Sequence, residues 1–121
     1  MSMTWAVEYT DNFGEWWDGL TEGEQKDVAV VVGLLGEHGV DLPFPYSSKV
    51  ADSKFSSMRE LRIQHKGEPY RVLYAFDPRR SAILLIGGCK TGNSRWYEIH
   101  IPVADKLFKK HLDVLSKEER K

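Results

Sequence analysis

The sequence holds a single cysteine, Cys89, so the chain can form no internal disulfide and no cysteine-based zinc site. Long apolar runs are also missing. A stretch such as Ala82 to Ile86 is closed by Ser81 and two glycines, far short of the roughly 20 residues that cross a bilayer. Nothing near the amino terminus has the basic-then-apolar run of a signal peptide. Together these absences lead to the expectation of a cytoplasmic protein with no membrane role. His38, His65, His100 and His111 lack any metal-ligand spacing such as HxxxH, and no carboxylates are spaced as in a calcium loop, so neither metal nor cofactor is expected. The segment "IGGCKTG" places glycines before a lysine but without the Walker-A spacing, which makes it a poor nucleotide loop. Repeats and linker-like composition are absent, and 121 residues suffice for one core, so residues 1–121 read as one domain.

What the chain does have is charge, unevenly spread. Residues 1–57 carry three Lys/Arg against ten Asp/Glu, whereas residues 58–100 carry eight against four, and the overall formal charge is only −1. A basic surface can therefore sit on a nearly neutral protein, suiting an anionic ligand or an acidic peptide; ordinary solvated faces would produce the same asymmetry.

Periodicity supplies the elements. "TWAVEYT" alternates Trp5, Val7 and Tyr9 as a strand does. Phe13, Trp16, Trp17 and Leu20 fall on one helical stripe, with Asp11 as the candidate N-cap. Thr21 and Glu24 have capping-box spacing ahead of a second stripe of Val28, Val31, Val32 and Leu35, and Gly39 supplies the stop. Residues 40–57, with Pro43, Pro45 and several serines, read as a long irregular connection. "SMRELRIQHK", "PYRVLYAFD" and "SAILLIGGCK" then form a three-strand meander, turned at Gly67 and at "DPRR". Pro102 is the predicted start of a closing helix with Ala104, Leu107, Phe108, Leu112 and Leu115 on one side. The order βααβββα predicts an α+β fold in which helices cover one face of a mostly antiparallel sheet. The tryptophans read as core, Trp96 excepted because it stands among polar residues, and Cys89 reads as a small, nearly buried thiol.

The chemistry concentrates late in the chain. In the first hairpin Arg62 and Arg71 can fall opposite each other on one sheet face. Two guanidinium groups so placed need an anion between them. Glu60, two places before Arg62, can be that anion, and so can a bound phosphate, which matches guanidinium with paired hydrogen bonds. Lys90 follows at the end of the next strand, and Arg95, Tyr97, Glu98 and His100 come after the turn "TGN". Such a set can hold a phosphodiester. Cleavage of RNA by the adjacent 2′-hydroxyl needs that hydroxyl deprotonated, charge on phosphorus neutralised and the leaving oxygen protonated. Tyr97, Glu98, Lys90 and His100 are all able to move protons, and spacing does not divide the roles among them. Lys49, Lys54, Arg59, Lys66 and the basic last helix are candidates for steering RNA by long-range attraction, although surface solvation accounts for each taken singly.

The segment "MRELRIQHKGEPYRVLYAFDPRRSAILLIGGCKTGNSRWYEIHIPVADKLFKKHL" resembles the phage-derived Gp49-like, HigB-type branch of the RelE/ParE toxin superfamily of bacterial toxin-antitoxin systems. Its marks are "ELR", "PYRVLYAFDP" and "GGCKTGNSRWYE", across about residues 58 to 112. The resemblance implies a RelE-like fold and, for most HigB-type members, a metal-independent mRNA interferase acting on the translating ribosome. It also implies neutralisation by a helix-turn-helix antitoxin of the HigA/Xre type. Carried onto this sequence, the family's basic positions fall on Arg62, Arg71 and Lys90, and its late tyrosine or acid falls within Tyr97 and Glu98. Glu60 departs from the pattern, standing where ribosome-dependent relatives often carry a basic residue. The superfamily also holds ParE toxins that poison gyrase without nuclease chemistry, and a basic groove that merely binds an acidic peptide is a third reading.

Overall fold

The computed structural model describes residues 4–119. Strand β1 (Val7–Tyr9) leads into helices α1 (Asp11–Asp18) and α2 (Glu22–His38) and a short 3₁₀ turn. Strands β2 (Ser47–Lys49), β3 (Arg59–His65), β4 (Glu68–Phe76) and β5 (Ala82–Cys89) follow, and helix α3 (Trp96–Glu119) closes the chain. The sheet order is β1-β5-β4-β3-β2, antiparallel throughout except for the β1–β5 pair. The predicted order is thus present with one addition. Strand β2 lies inside the segment read as irregular; three residues flanked by proline and serine leave too little alternation to signal it.

The caps follow the sequence closely. The Thr21–Glu24 capping box forms in both directions, and Gly39 ends α2 with φ of 58°. Helix α1, by contrast, is capped by Thr10, whose hydroxyl accepts from the Phe13 N–H at 3.1 Å, and Asp11 is its first residue rather than its cap. Lys66 and Gly67 turn the β3–β4 hairpin with φ of 51° and 80°, the doubly positive two-residue turn that matches strand twist. That turn sets the register in which Arg62 faces Arg71.

Helices cover both faces of the sheet, not one. Phe13, Val28, Val31 and Leu35 from α1 and α2 pack on Leu61, Ile63, Val72, Tyr74 and Leu84. On the opposite face Trp96, Ile101, Ala104 and Phe108 of α3 pack on Met58, Leu73, Ala75, Ile83 and Leu85. Central strands that are apolar at consecutive positions, as β4 and β5 are, must be covered on both sides. Trp96 is 2% exposed and belongs to this second core, so it is no exception among the tryptophans. Cys89, in turn, is exposed rather than nearly buried.

Helix α3 begins six residues before Pro102. The turn Lys90–Asn93 is closed by the Asn93 N–H donating to the Lys90 carbonyl at 3.0 Å, and the Asn93 side chain accepts from the Arg95 N–H at 3.0 Å. These contacts start the helix at Trp96, and Pro102 is tolerated inside because only one backbone bond is lost there. Tyr97 is thereby set in the first turn, over the end of β5.

The far end of α3 is tied to the β4–β5 turn by Asp77, whose carboxylate is fully buried. It accepts from the backbone N–H groups of Arg79 and Ser81, from the Arg79 guanidinium at 2.6 Å, and lies 2.8 Å from His111 Nε2. Burial pushes the Asp77 carboxyl up, but hydrogen bonds from His111, Arg79 and Ser81 outweigh it and hold it below the usual carboxylate range. A depressed folded-state value contributes stability above the ordinary carboxylate range, which is lost as pH falls through the depressed value. Asp77→Asn is therefore expected to lower stability at neutral pH by roughly 1–3 kcal/mol and to flatten the acid limb of a urea-unfolding series run across pH 2 to 7. An unchanged acid limb would remove Asp77 as its source.

Candidate active site

The face of β3 and β4 that carries α3 also carries charge where α3 does not reach. Strand alternation brings Glu60 and Arg62 of β3 and Arg71 of β4 to this face, and Lys90 joins them just past β5. Glu60 and Arg71 are each 5% exposed, which makes their pairing decisive: a lone buried charge would be far more costly than a matched one.

Glu60 is the hub. Its Oε2 accepts from Arg62 Nη1 at 3.0 Å and from Ser48 Oγ at 2.6 Å. Its Oε1 accepts from the Tyr97 hydroxyl at 2.5 Å and lies 3.6 Å from Arg71 Nε, beyond hydrogen-bond reach. Arg71 Nη1 donates to the Tyr70 carbonyl at 2.9 Å, while Arg71 Nε is buried with no hydrogen-bond partner among the described residues. Lys90 Nζ donates to the Tyr97 hydroxyl at 3.3 Å and sits 4.7 Å from the centre of its ring.

Three cations thus surround one carboxylate, an excess that favours an anion. The environment also adjusts the proton-carrying groups. Burial and then the Arg71 and Arg62 guanidinium groups lower the Lys90 ammonium, with Glu60 partly opposing them. Burial and then the hydrogen bond to Glu60 raise the Tyr97 phenol, with Arg71 partly opposing. The phenol is therefore held as a proton donor pointed at a carboxylate.

Of the residues singled out in the sequence, Arg62, Arg71, Lys90 and Tyr97 come together. Glu98 stands outside, on the exposed side of α3, paired to Arg95 at 2.7 Å. His100 stacks on Trp96 at 4.3 Å, with Nδ1 2.8 Å from the Trp96 carbonyl oxygen. Arg59 turns to the opposite sheet face, where its Nε donates to Ser47 Oγ at 3.0 Å, and Lys49 is its cross-strand partner. Lys66 occupies the hairpin tip. Lys54 borders a separate open groove of about 930 Å³ between the loop before β3 and α3, which meets the charged cluster at Tyr97. Glu60 and Ser48 are the additions. Glu60 was legible as a same-face anion; Ser48 was not, because β2 itself was not. Among the described residues no group of three or more His, Cys, Asp or Glu side chains is placed to hold a metal.

The chain's architecture matches a solved structure, the RelE–RelB complex of Pyrococcus horikoshii OT3, with a TM-score of 0.55 over 74% of this chain and 99% of that one. Identity is 14%, so the likeness is one of fold: the protein has a RelE-like α+β fold. A profile of the family described as phage derived protein Gp49-like matches residues 15–109. Two proteins of Mycobacterium tuberculosis (strain ATCC 25618 / H37Rv) are similar along most of the sequence. One, named "Putative toxin HigB3", is 45% identical over 102 residues, covering 84% of this chain and 88% of that protein. The other, named "Putative toxin HigB2", is 34% identical over 113 residues, and this chain spans 56% of its length. The chain belongs to the Gp49-like family, within the RelE/HigB type of toxins from toxin-antitoxin systems.

Proposed function

We propose that this toxin is a metal-independent endoribonuclease that cuts mRNA, on the translating ribosome, and so arrests translation and growth. The observation that carries the reading is the partly buried Glu60–Tyr97 hydrogen bond enclosed by Arg62, Arg71 and Lys90. Gripping an anion would need only the cations. A carboxylate and a phenol joined within hydrogen-bond reach add the means to take up and return a proton.

In this mechanism Arg62 and Arg71 hold the scissile phosphate, the unpartnered Arg71 Nε supplying a donor for a non-bridging oxygen. Glu60 accepts the proton of the 2′-hydroxyl as its oxygen attacks phosphorus. Tyr97 gives its proton to the departing 5′-oxygen. The proton on Glu60 then returns to the Tyr97 phenolate along their hydrogen bond, restoring both groups. The products are a 2′,3′-cyclic phosphate and a 5′-hydroxyl end. Lys90 neutralises charge on phosphorus and steadies the phenolate while it exists. Arg95, Lys54, Lys66, Lys49, Arg59 and His100 lie outside this set; the exposed lysines and arginines among them raise the local concentration of RNA by attraction at longer range. The partner that restrains the toxin is a helix-turn-helix antitoxin, and the setting is the cytoplasm, where ribosomes are. Antitoxin pairing is supported by the complex found for the RelE-like neighbour.

Primer extension on messages from cells briefly expressing the chain tests the reading, beside an Arg71→Ala, Lys90→Ala variant. New translation-dependent 5′ ends are expected with the wild type and none with the variant. Growth arrest without new ends would instead favour the gyrase-poisoning branch of the superfamily.

A further inference from the structure

Phe44 has an exposure that the fold does not explain. It is 69% exposed, a value that only Tyr9, at 68%, approaches among the large apolar side chains of the described residues. It is nevertheless held in a defined place. The Tyr46 and Ser47 N–H groups both donate to the Pro43 carbonyl, at 3.0 and 3.1 Å, so Phe44 rides on a closed turn. The Tyr46 carbonyl accepts from the Arg62 N–H at 2.8 Å, which pins that turn to β3. The Phe44 ring then lies under the Arg62 guanidinium, 5.1 Å from ring centre to the guanidinium carbon.

We infer that Phe44 is a stacking platform for a nucleobase adjacent to the phosphate gripped by Arg62. The inference rests on the nuclease reading and names a contact that reading does not contain. An exposed aromatic ring costs solvation and returns nothing to the core, whereas unstacked bases of single-stranded RNA are commonly held on aromatic faces and on guanidinium planes. Here the guanidinium lies over one face of the ring at the rim of the site, and the ring as a whole stays largely open to solvent. A phosphate bound to Arg62 brings the base of its own nucleotide within reach of the ring. The ring tolerates any base, so the contact holds RNA without dictating sequence. The same ring could meet a protein partner, but its place beside Arg62 favours the ligand that Arg62 binds.

The test uses a labelled single-stranded oligoribonucleotide, 2′-O-methylated throughout so that it cannot be cut, with affinity read by fluorescence anisotropy. Phe44→Ala is expected to weaken binding roughly ten-fold and Phe44→Trp to retain it. An abasic residue at one position should cost the wild type the same factor and cost Phe44→Ala nothing more. The platform is overturned if Phe44→Ala binds as tightly as wild type, or if its loss persists on the abasic ligand at every position, which would trace the effect to Arg62. It is also overturned if Phe44→Ala keeps RNA affinity and loses only the antitoxin. An Arg71→Ala, Lys90→Ala protein separates the two readings. If wild type binds no better than that variant, the nuclease site fails and the platform with it; if wild type binds better yet Phe44→Ala matches it, the platform alone fails.

Discussion

Glu60→Gln is expected to reduce RNA cleavage by about 10²- to 10⁴-fold, the usual contribution of a positioned acid–base group, and to lower stability by about 3–5 kcal/mol, because the buried Arg71 loses its counter-charge; urea unfolding of the variant separates the two effects. Glutamine keeps the shape of the side chain, and its one amide oxygen can still accept from the Tyr97 hydroxyl, but its NH2 group then faces Arg62 Nη1, donor against donor, so the Arg62 bond is lost while the Ser48 hydroxyl can turn to accept. What it loses is the capacity to take a proton and the negative charge between two arginines. The second loss has a useful sign. With the internal carboxylate gone, Arg62 and Arg71 face each other unneutralised across the hairpin, and affinity for an uncleavable RNA should rise as cleavage falls. Tighter binding with slower cutting in a single-turnover assay would identify Glu60 as both proton acceptor and internal competitor for phosphate. If cleavage persists at the wild-type rate, Glu60 is a counter-ion alone, and Lys90, whose ammonium is lowered by burial and by Arg71, becomes the better candidate for the base.

A large loss of stability is also expected at two glycines of β5. Gly87 and Gly88 are consecutive in β5 and open to opposite faces of the sheet. A Cβ on Gly87 would lie 2.3 Å from the Trp16 ring, and one on Gly88 would lie 2.6 Å from Trp96 Nε1. Each absent side chain is thus the seat of a tryptophan, one from α1 and one from α3. Overpacking of this kind costs about 1–3 kcal/mol or more per site, so Gly87→Ala and Gly88→Ala should each lower Tm by roughly 5–10 °C. Their signatures should differ. Displacing Trp96 disturbs Tyr97, the next residue of the same helical turn, and hence the cleavage proposed for this site; displacing Trp16 disturbs only the face away from the site. Thermal unfolding and activity measured on both variants separate seat from site, and equal activity losses would contradict the two-faced arrangement.

The sequence carried the parts of this fold that depend on local pattern. The hairpin turn, the capping box and the helical stripes each arise from a few neighbouring residues, and so did the facing of Arg62 and Arg71 once the turn was read. It was less informative where an element depends on distant partners. Three residues, Ser47–Lys49, form a strand only because β3 offers them an edge. The start of α3 was hidden because Pro102 is a familiar first helical residue, while the cap that acts is the turn through Asn93. That displacement mattered for the site. Reading residues 96 to 101 as loop left Tyr97 and Glu98 equivalent, whereas helical phase sends one side chain inward to Glu60 and the other outward to Arg95. The expectation of helices on one face likewise came from counting elements rather than from the doubly apolar character of β4 and β5.

The pairing of β1 with β5 bears on when, during synthesis, the charged cluster can be assembled. Thr10 donates to the Leu85 carbonyl across 75 positions of sequence, and β1 can be paired only after β5 has been made. A ribosome synthesising this chain therefore releases the amino-terminal third with its apolar helices still lacking their sheet. Arg62, Arg71, Lys90 and Tyr97 come from the later, locally connected part, but the strands that present them are covered on one face by the helices that wait. Long-range closure of this kind slows folding. Topology in this way makes the charged cluster one of the last features of the chain to be assembled.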